Sequence, residues 1–249
     1  MKVQPNKEFF DEISSFYDGM IGFESALKRR QELLSRFIDK GVISAADLGC
    51  GSGLDSIALA KNGIKVAAFD QSSKMITRAG ENAKKQGVSV SFYKSSLEKI
   101  PRSFNNKFEL VLSLGNTLAN LEPGKFQAAI GRIYALLSDN GQAVIQILNY
   151  SSILKNDNRI INITEQSENV YIRFYDFYPE HLNFNILRYK KTNLKERSLF
   201  TTVLYPYDHQ DLSEAIKQAG FKSRKIYGSL NMDKYQKYQS GDLVVIARK

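Results

Sequence analysis

The sequence predicts an α/β protein: a doubly wound, mainly parallel seven-stranded sheet with an inserted antiparallel sheet after its fifth strand. Three observations predict it. Short apolar strand runs alternate with helical patterns from residue 43 to residue 148, the rhythm of a parallel sheet covered by helices on both faces. Residues 158–205 then hold strand-like runs with no helix between them, the rhythm of an antiparallel sheet. A helix and two further strands follow, so the first sheet resumes after the interruption.

Each element follows from local pattern. Phe9, Phe10, Ile13, Phe16 and Tyr17 recur at helical spacing, as do Leu27, Leu33, Leu34, Phe37 and Ile38. They predict helix over 9–39, broken into two at Gly19 and Gly22. Ile43–Leu48 reads as a buried strand, Leu54–Asn62 as a helix with Gly63 at its C-terminal cap, and Lys65–Asp70 as the second strand. A helix over 73–86, closed by Gly87, and a strand over 89–93 come next. Phe108–Ser113 is apolar on both faces, as a central parallel strand should be. A helix over 125–137 and a strand over 143–148 complete the first half. The insertion holds strands at 159–164, 170–178, 182–190 and 198–205. Asp208 is placed to cap a helix over 210–219, and strands at 222–227 and 243–247 form an edge hairpin. The expected organisation is an N-terminal helical lid (1–40), an α/β core (41–150 and 206–249) and an inserted antiparallel element on the substrate side (151–205).

Composition narrows the class. A chain of 249 residues is ample for a full core, and 43% hydrophobic with 24% charged residues excludes wholesale disorder. No apolar run approaches the roughly 20 residues of a membrane span, and MKVQPNKEFFDE lacks the apolar stretch of a secretory signal. The single cysteine, Cys50, cannot form an intramolecular disulfide, and with two histidines it makes a structural zinc site a poor fit. A soluble cytoplasmic protein without a metal is expected. The net charge of +9 raises the prospect of a nucleic-acid partner, and Arg188, Lys190, Lys191, Lys195 and Arg197 cluster near Phe184, Tyr189 and Phe200. Basic residues are otherwise spread along the chain, and strand alternation gives a solvated face over a buried one, which is the preferred reading.

The chemistry centres on Asp47-Leu48-Gly49-Cys50-Gly51-Ser52-Gly53, at a strand-to-helix turn. Glycines there let the backbone turn sharply and approach a ligand closely. The G-x-G-x-G spacing is neither the G-x-G-x-x-G of dinucleotide sites nor a phosphate loop ending in Gly-Lys-Ser/Thr. Asp70 ends the next strand, seventeen residues beyond Gly53. A carboxylate there suits a ribose diol. Both features at the carboxyl edge of a parallel sheet argue for a nucleoside ligand.

This arrangement resembles class I S-adenosylmethionine-dependent methyltransferases, whose first motif is acidic-hydrophobic-Gly-x-Gly-x-Gly and whose second corresponds to Phe69-Asp70. The run from Gly53 to Met75, Leu114-Gly-Asn-Thr-Leu-Ala-Asn-Leu121, and Asn149-Tyr150 followed by Ile153-Leu154 are similar to the glycine/sarcosine N-methyltransferase branch. The resemblance implies that Gly49, Cys50, Gly51 and Gly53 pass the methionine part of S-adenosylmethionine, Asp70 holds the ribose, Gln71 flanks the adenosine and Met75 packs on the adenine. Ser96 and Leu97 stand at the adenine amino group, where many relatives have an acidic residue in place of Ser96. Leu114 offers its carbonyl to the cofactor ammonium, Tyr17 closes over the cofactor, and Arg30 or its neighbour Arg29 pairs the methionine carboxylate. Met75 and Tyr17 also fit a helix core. Asn116, Tyr150, Tyr175 and Arg173 are the substrate-pocket candidates. Leu148 occupies the position where the branch has an arginine for the amino-acid carboxylate, so another cation, such as Arg173 or Arg188, has to serve a carboxylate substrate. His181 and His209 adjoin turns and read as solvated rather than as general bases. The implied reaction is in-line methyl transfer to a small-molecule acceptor, an amine nitrogen being expected, with S-adenosylhomocysteine as product. Methylation of RNA or protein, or cofactor binding without catalysis, are the alternatives. Oligomerisation through the N-terminal arm or the inserted sheet is open.

Overall fold

The computed structural model describes residues 3–39 and 41–249; Met1, Lys2 and Lys40, within the expected lid, lie outside them. In chain order the elements are α1 (Asn6–Ile21), α2 (Phe23–Ser35), β1 (Ser44–Leu48), α3 (Leu54–Lys61), β2 (Lys65–Asp70), α4 (Ser73–Lys85), β3 (Ser91–Lys94), β4 (Phe108–Ser113), α5 (Pro123–Leu136) and β5 (Leu137–Leu148). There follow α6 (Tyr150–Lys155), β6 (Ile160–Gln166), β7 (Asn169–Phe177), β8 (Leu182–Lys190), β9 (Asn193–Leu204), α7 (His209–Gln218), β10 (Ser223–Tyr227) and β11 (Asp242–Arg248).

Seven strands form one sheet in the order β10-β11-β5-β4-β1-β2-β3. Strands β1 to β5 are parallel, while β11 lies antiparallel to β5 and pairs with β10 as the edge hairpin. Strand alternation sorts the core into two layers. Leu110, Leu112 and Val144 face α2 and α3, packing with Leu27, Leu34 and Ile57. Val111, Ile145 and Val245 face α5 and α7, packing with Ile130, Ile133, Leu212 and Ile216. Each such fully buried aliphatic side chain contributes about 1.5–3 kcal/mol, which explains why both faces of the sheet are covered. The second sheet, β6-β7-β8-β9, is wholly antiparallel and separate from the first.

α1 joins the two sheets. Its buried face (Phe9, Ile13, Phe16, Met20) meets Met75 of α4 on one side and Tyr171 and Ile186 of the second sheet on the other. Phe16 stacks on Tyr171 with ring centres 5.5 Å apart. The polar edge of α1 is bound to α4: Ser72 Oγ donates to Asp11 Oδ1 (2.5 Å), and Asn82 Nδ2 donates to Asp18 Oδ2 (2.9 Å). The chain before α1 is tied to β9 by the Gln4 N–H, which donates to the Thr201 carbonyl (2.9 Å).

Several local expectations are corrected. The break between the first two helices falls at Gly22 alone, which has φ +62°. Gly19 stays inside α1 because the Gln166 side chain lies where a Cβ would sit, so its glycine provides space rather than a bend. α6 was not expected as a helix. Its position is tertiary: Asn149 Nδ2 donates to the carbonyls of Lys237 (2.9 Å) and Ser240 (2.8 Å), docking the segment on the loop before β11. β5 begins at Leu137, its early residues passing through a register shift against β4. Asp208 caps α7 as expected, accepting from the Gln210 (2.7 Å) and Asp211 (3.1 Å) N–H groups. Of the basic cluster, Lys190 pairs with Glu196 (2.6 Å), Lys191 with Glu165, and Arg188 lies over the Phe16 ring (5.1 Å).

Candidate active site

The turn after β1 is held by two backbone donors. The Gly49 and Cys50 N–H groups both donate to the Phe69 carbonyl, at 2.8 and 3.0 Å, which binds the glycine turn to the end of β2. Gly49 has φ +76°, and a Cβ there would lie 2.3 Å from Thr117 Cγ2. Gly51 has φ +53°, and a Cβ there would meet no atom within 4 Å. Gly53 instead packs on Ala79 of α4, where a Cβ would come within 3.1 Å. Gly49 and Gly53 thus serve close packing, while Gly51 faces open space.

That space is a cavity of about 1290 Å³, bounded by the carboxyl ends of β1, β2 and β4, by α1 and α2, and by the inner face of the second sheet. A single small-molecule site occupies roughly 300–1,000 Å³, so this cavity has room for two molecules. Tyr17, Arg30, Gly49, Cys50, Gly51, Asp70, Gln71, Ser96, Leu97, Leu114, Asn116, Leu148, Arg173 and Tyr175 all line it.

Asp70 presents its carboxylate at this edge. Its Oδ2 accepts from the Gly51 N–H (2.9 Å) and its Oδ1 from the Ser72 N–H (2.8 Å). Burial pushes its proton affinity above the ordinary carboxylate value, and these backbone donors oppose the shift. Deeper, Ser56 Oγ donates to Asp47 Oδ2 (2.5 Å); burial, then the neighbouring Asp55, raise the proton affinity of Asp47. Asp55 pairs with Arg30 (Nε–Oδ1 3.0 Å), while the Arg30 Nη1 is buried with no hydrogen-bond partner. A buried guanidinium nitrogen without an acceptor is costly, and Arg30 is one of the residues lining the cavity. Arg29 faces a separate shallow groove beside α2, so the helix places Arg30, not Arg29, at the site.

Three candidates stand away from the cavity, Gly53 being one, packed on Ala79. Met75 is fully buried beneath α1 among Phe9, Ile13 and Phe16, because α1 covers that face of α4. Tyr150 is fully buried in α6; its hydroxyl accepts from Asn116 Nδ2 (2.7 Å). Asn116 does line the cavity, but its Oδ1 also accepts from the Leu148 N–H (3.0 Å). Both polar ends of Asn116 are therefore engaged within the protein, and it braces the floor with φ +67°. The Leu114 carbonyl already accepts from Thr117 Oγ1 (2.8 Å). His181 stacks on Tyr178 at a turn and His209 lies against Tyr235; neither lines the cavity. Among the described residues, no group of three or more His, Cys, Asp or Glu is placed to hold a metal ion. No described helix is long and apolar enough to cross a membrane.

Sequence reasoning missed Asn6. Its Oδ1 accepts from Gln71 Nε2 (2.7 Å) and its Nδ2 donates to Asn120 Oδ1 (2.5 Å), so the start of α1 bridges two strand-end loops at the cavity wall. No motif marks it. It also missed Asn162, whose Oδ1 accepts from Arg173 Nε (2.7 Å).

Residues 45–141 match the family model described as "Methyltransferase domain". These residues hold a methyltransferase domain, and the chain is similar to class I S-adenosylmethionine-dependent methyltransferases. This methyltransferase is 21% identical over 230 residues to the glycine/sarcosine N-methyltransferase of Parasynechococcus marenigrum, covering 91% of this chain and 80% of that one. It is 26% identical over 228 residues to the carboxy-S-adenosyl-L-methionine synthase of Nitratiruptor sp., covering 88% and 87%. In fold it is similar to the CcbJ methyltransferase of Streptomyces caelestis, with a TM-score of 0.77 at 18% identity over 96% of this chain and 97% of that one. The G-x-G-x-G turn and Asp70 lie at the ends of the neighbouring strands β1 and β2, at one edge of the sheet.

Proposed function

We propose that this methyltransferase methylates an amine nitrogen of a small-molecule acceptor. The observation that carries it is the cavity with two unlike walls, large enough for two molecules and closed by α1. The N-methyltransferase named among its relatives supports nitrogen as the acceptor atom.

One wall fits the cofactor. Asp70 would accept from the ribose hydroxyls, the Gly49–Gly51 backbone would flank the methionine portion, and the free Arg30 Nη1 would meet the carboxylate. Gln71, Ser96 and Leu97 would border the adenosine, and Leu114 would lie beside the ammonium, its carbonyl shared with Thr117 Oγ1 (2.8 Å) and the Thr117 N–H (3.4 Å). When bound, S-adenosylmethionine supplies a methyl group already activated on a sulfonium. The rest of the work is positional. Tyr17 and Tyr175 offer ring faces that favour a cation, and α1 excludes water as the lid. In this reading residues 1–40 are the lid, 41–150 and 206–249 the cofactor core, and 151–205 the acceptor side. The reaction needs no metal, and we place the protein in the cytoplasm.

The test is release of S-adenosylhomocysteine from purified protein and S-adenosylmethionine with glycine, sarcosine, dimethylglycine and a set of uncharged and cationic amines. Turnover with any amine, with a mass gain of one methyl group on that amine, is expected. Cofactor binding with no product from the whole panel would move the assignment to a macromolecular acceptor or to a non-catalytic binder. Recovery of a carboxylated cofactor from the purified protein would overturn methyl transfer.

A further inference from the structure

Apart from Arg173, the cations that line the cavity are paired with carboxylates within the protein. Lys7 sits on Asp11 (3.1 Å), Arg30 on Asp55 (3.0 Å) and Lys125 on Glu122 (2.8 Å). Glu165 is paired with Lys191. Arg173 differs. Among the described residues it has no carboxylate partner; its one hydrogen bond runs from Nε to Asn162 Oδ1 (2.7 Å). That bond fixes one edge of the guanidinium and leaves both terminal nitrogens uncommitted at the cavity wall. The ionisable groups that influence it are two neutral phenols, Tyr17 and Tyr175. A half-buried cation with no counter-charge carries a desolvation cost that an anionic ligand would remove.

The surroundings of this cation are apolar. Leu148, Ile161, Tyr175, Phe184 and Leu204 belong to one hydrophobic cluster and all five line the cavity. Tyr175 lies two residues from Arg173 on the same face of β7 and stands 6.1 Å, ring to ring, from Phe184. The wall therefore presents one cation beside a broad apolar surface.

We propose that the acceptor is an apolar or aromatic molecule bearing a carboxylate, with the carboxylate on Arg173 and the body against Leu148, Phe184 and Leu204. The proposal rests on the methyltransferase reading and names the acceptor class for it. Arg173 is a specificity-determining residue here, and Asn162 positions it.

The test uses full-length protein saturated with S-adenosylhomocysteine and three unreactive probes: phenylacetate, phenylacetamide and acetate, titrated calorimetrically. Phenylacetate should bind about tenfold or more tightly than either other probe, since one loses the charge and the other the apolar body. R173Q should bring phenylacetate down to the amide, R173K should restore part of the difference, and both should bind S-adenosylhomocysteine within about twofold of wild type. Their circular dichroism should match wild type. Equal binding of phenylacetate and phenylacetamide, or an R173Q protein that keeps the preference, overturns the proposal. So does acetate binding as tightly as phenylacetate, and so does R173Q weakening S-adenosylhomocysteine tenfold, because the carboxylate on Arg173 would then be the cofactor's own. Wild-type protein that binds no S-adenosylhomocysteine overturns the cofactor reading, a result separate from loss of carboxylate preference alone.

Discussion

The two walls of the cavity are built differently. The wall proposed for the cofactor is made at strand ends, by backbone groups and one carboxylate: Gly49 and Cys50 N–H on the Phe69 carbonyl, Gly51 N–H on Asp70. The wall proposed for the acceptor is made of side chains on antiparallel strands, Arg173 and Tyr175 on β7, Phe184 on β8, Leu204 on β9. Backbone chemistry demands particular residues, glycine above all, so the first wall tolerates little change. Side chains on a sheet face can be exchanged without altering the backbone, so the second wall is where specificity can be rewritten. α1 couples the two, and its loss should separate them.

The largest expected effect breaks that coupling. Phe9 is fully buried between α4 and the second sheet. Phe9→Ala should cost about 3–5 kcal/mol of stability, read by denaturant unfolding. Hydrogen exchange should rise in α1 and over residues 160–204 while β1, β2 and β4 stay protected. Uniform loss of protection would mean that the two sheets unfold as one unit.

Next comes the cofactor wall itself. Asp70→Asn removes the charge while preserving shape, and should weaken S-adenosylmethionine binding about 10–100-fold, as loss of charge-assisted hydrogen bonds implies. Calorimetric titration checks it, and phenylacetate binding to cofactor-saturated variant should be unaffected. An unchanged cofactor affinity would remove Asp70 from the site.

A third prediction concerns pH. Burial raises Asp47 to about 7, with Asp55 adding to the shift. In the unfolded chain an aspartate ionises near ~3.9. Between those values the folded protein holds a proton that the unfolded chain has released, so stability falls as pH rises through that window. Asp47→Asn should therefore raise Tm relative to wild type at pH 8, with the gain shrinking toward pH 4. A wild-type Tm that rises with pH over this range, unchanged in the variant, would contradict the burial argument.

The smallest effect tests the latch. Asn6→Ala removes the hydrogen bonds to Gln71 and Asn120 at the cavity wall. Each is worth about 1 kcal/mol, so cofactor affinity should drop several-fold through faster dissociation, seen by stopped-flow. A slower association with unchanged dissociation would show that Asn6 shapes entry rather than retention.

Much of this protein was determined by sequence alone, and for a physical reason. Strand and helix periodicity is a local property, so the seven-stranded core and the inserted sheet were readable, as was the Asp208 cap. The glycine turn at the end of β1 and the position of Asp70 at the end of β2 were readable because a sharp strand-to-helix turn restricts residue type at fixed spacing. Packing decided the rest. Met75 and Tyr150 carry no local mark of burial under α1 or α6, and only the tertiary structure withdraws them from the cavity. The choice of Arg30 over Arg29 depends on which face α2 turns inward. The hydrogen bonds of Asn116 run to residues more than thirty positions away, so its role as a brace has no local signature. Arg173 was one cation among thirty-five Lys and Arg residues until folding paired the other cations lining the cavity with carboxylates. Charge composition is fixed by the chain, but which charge is left without a partner depends on long-range contacts that only the folded structure makes.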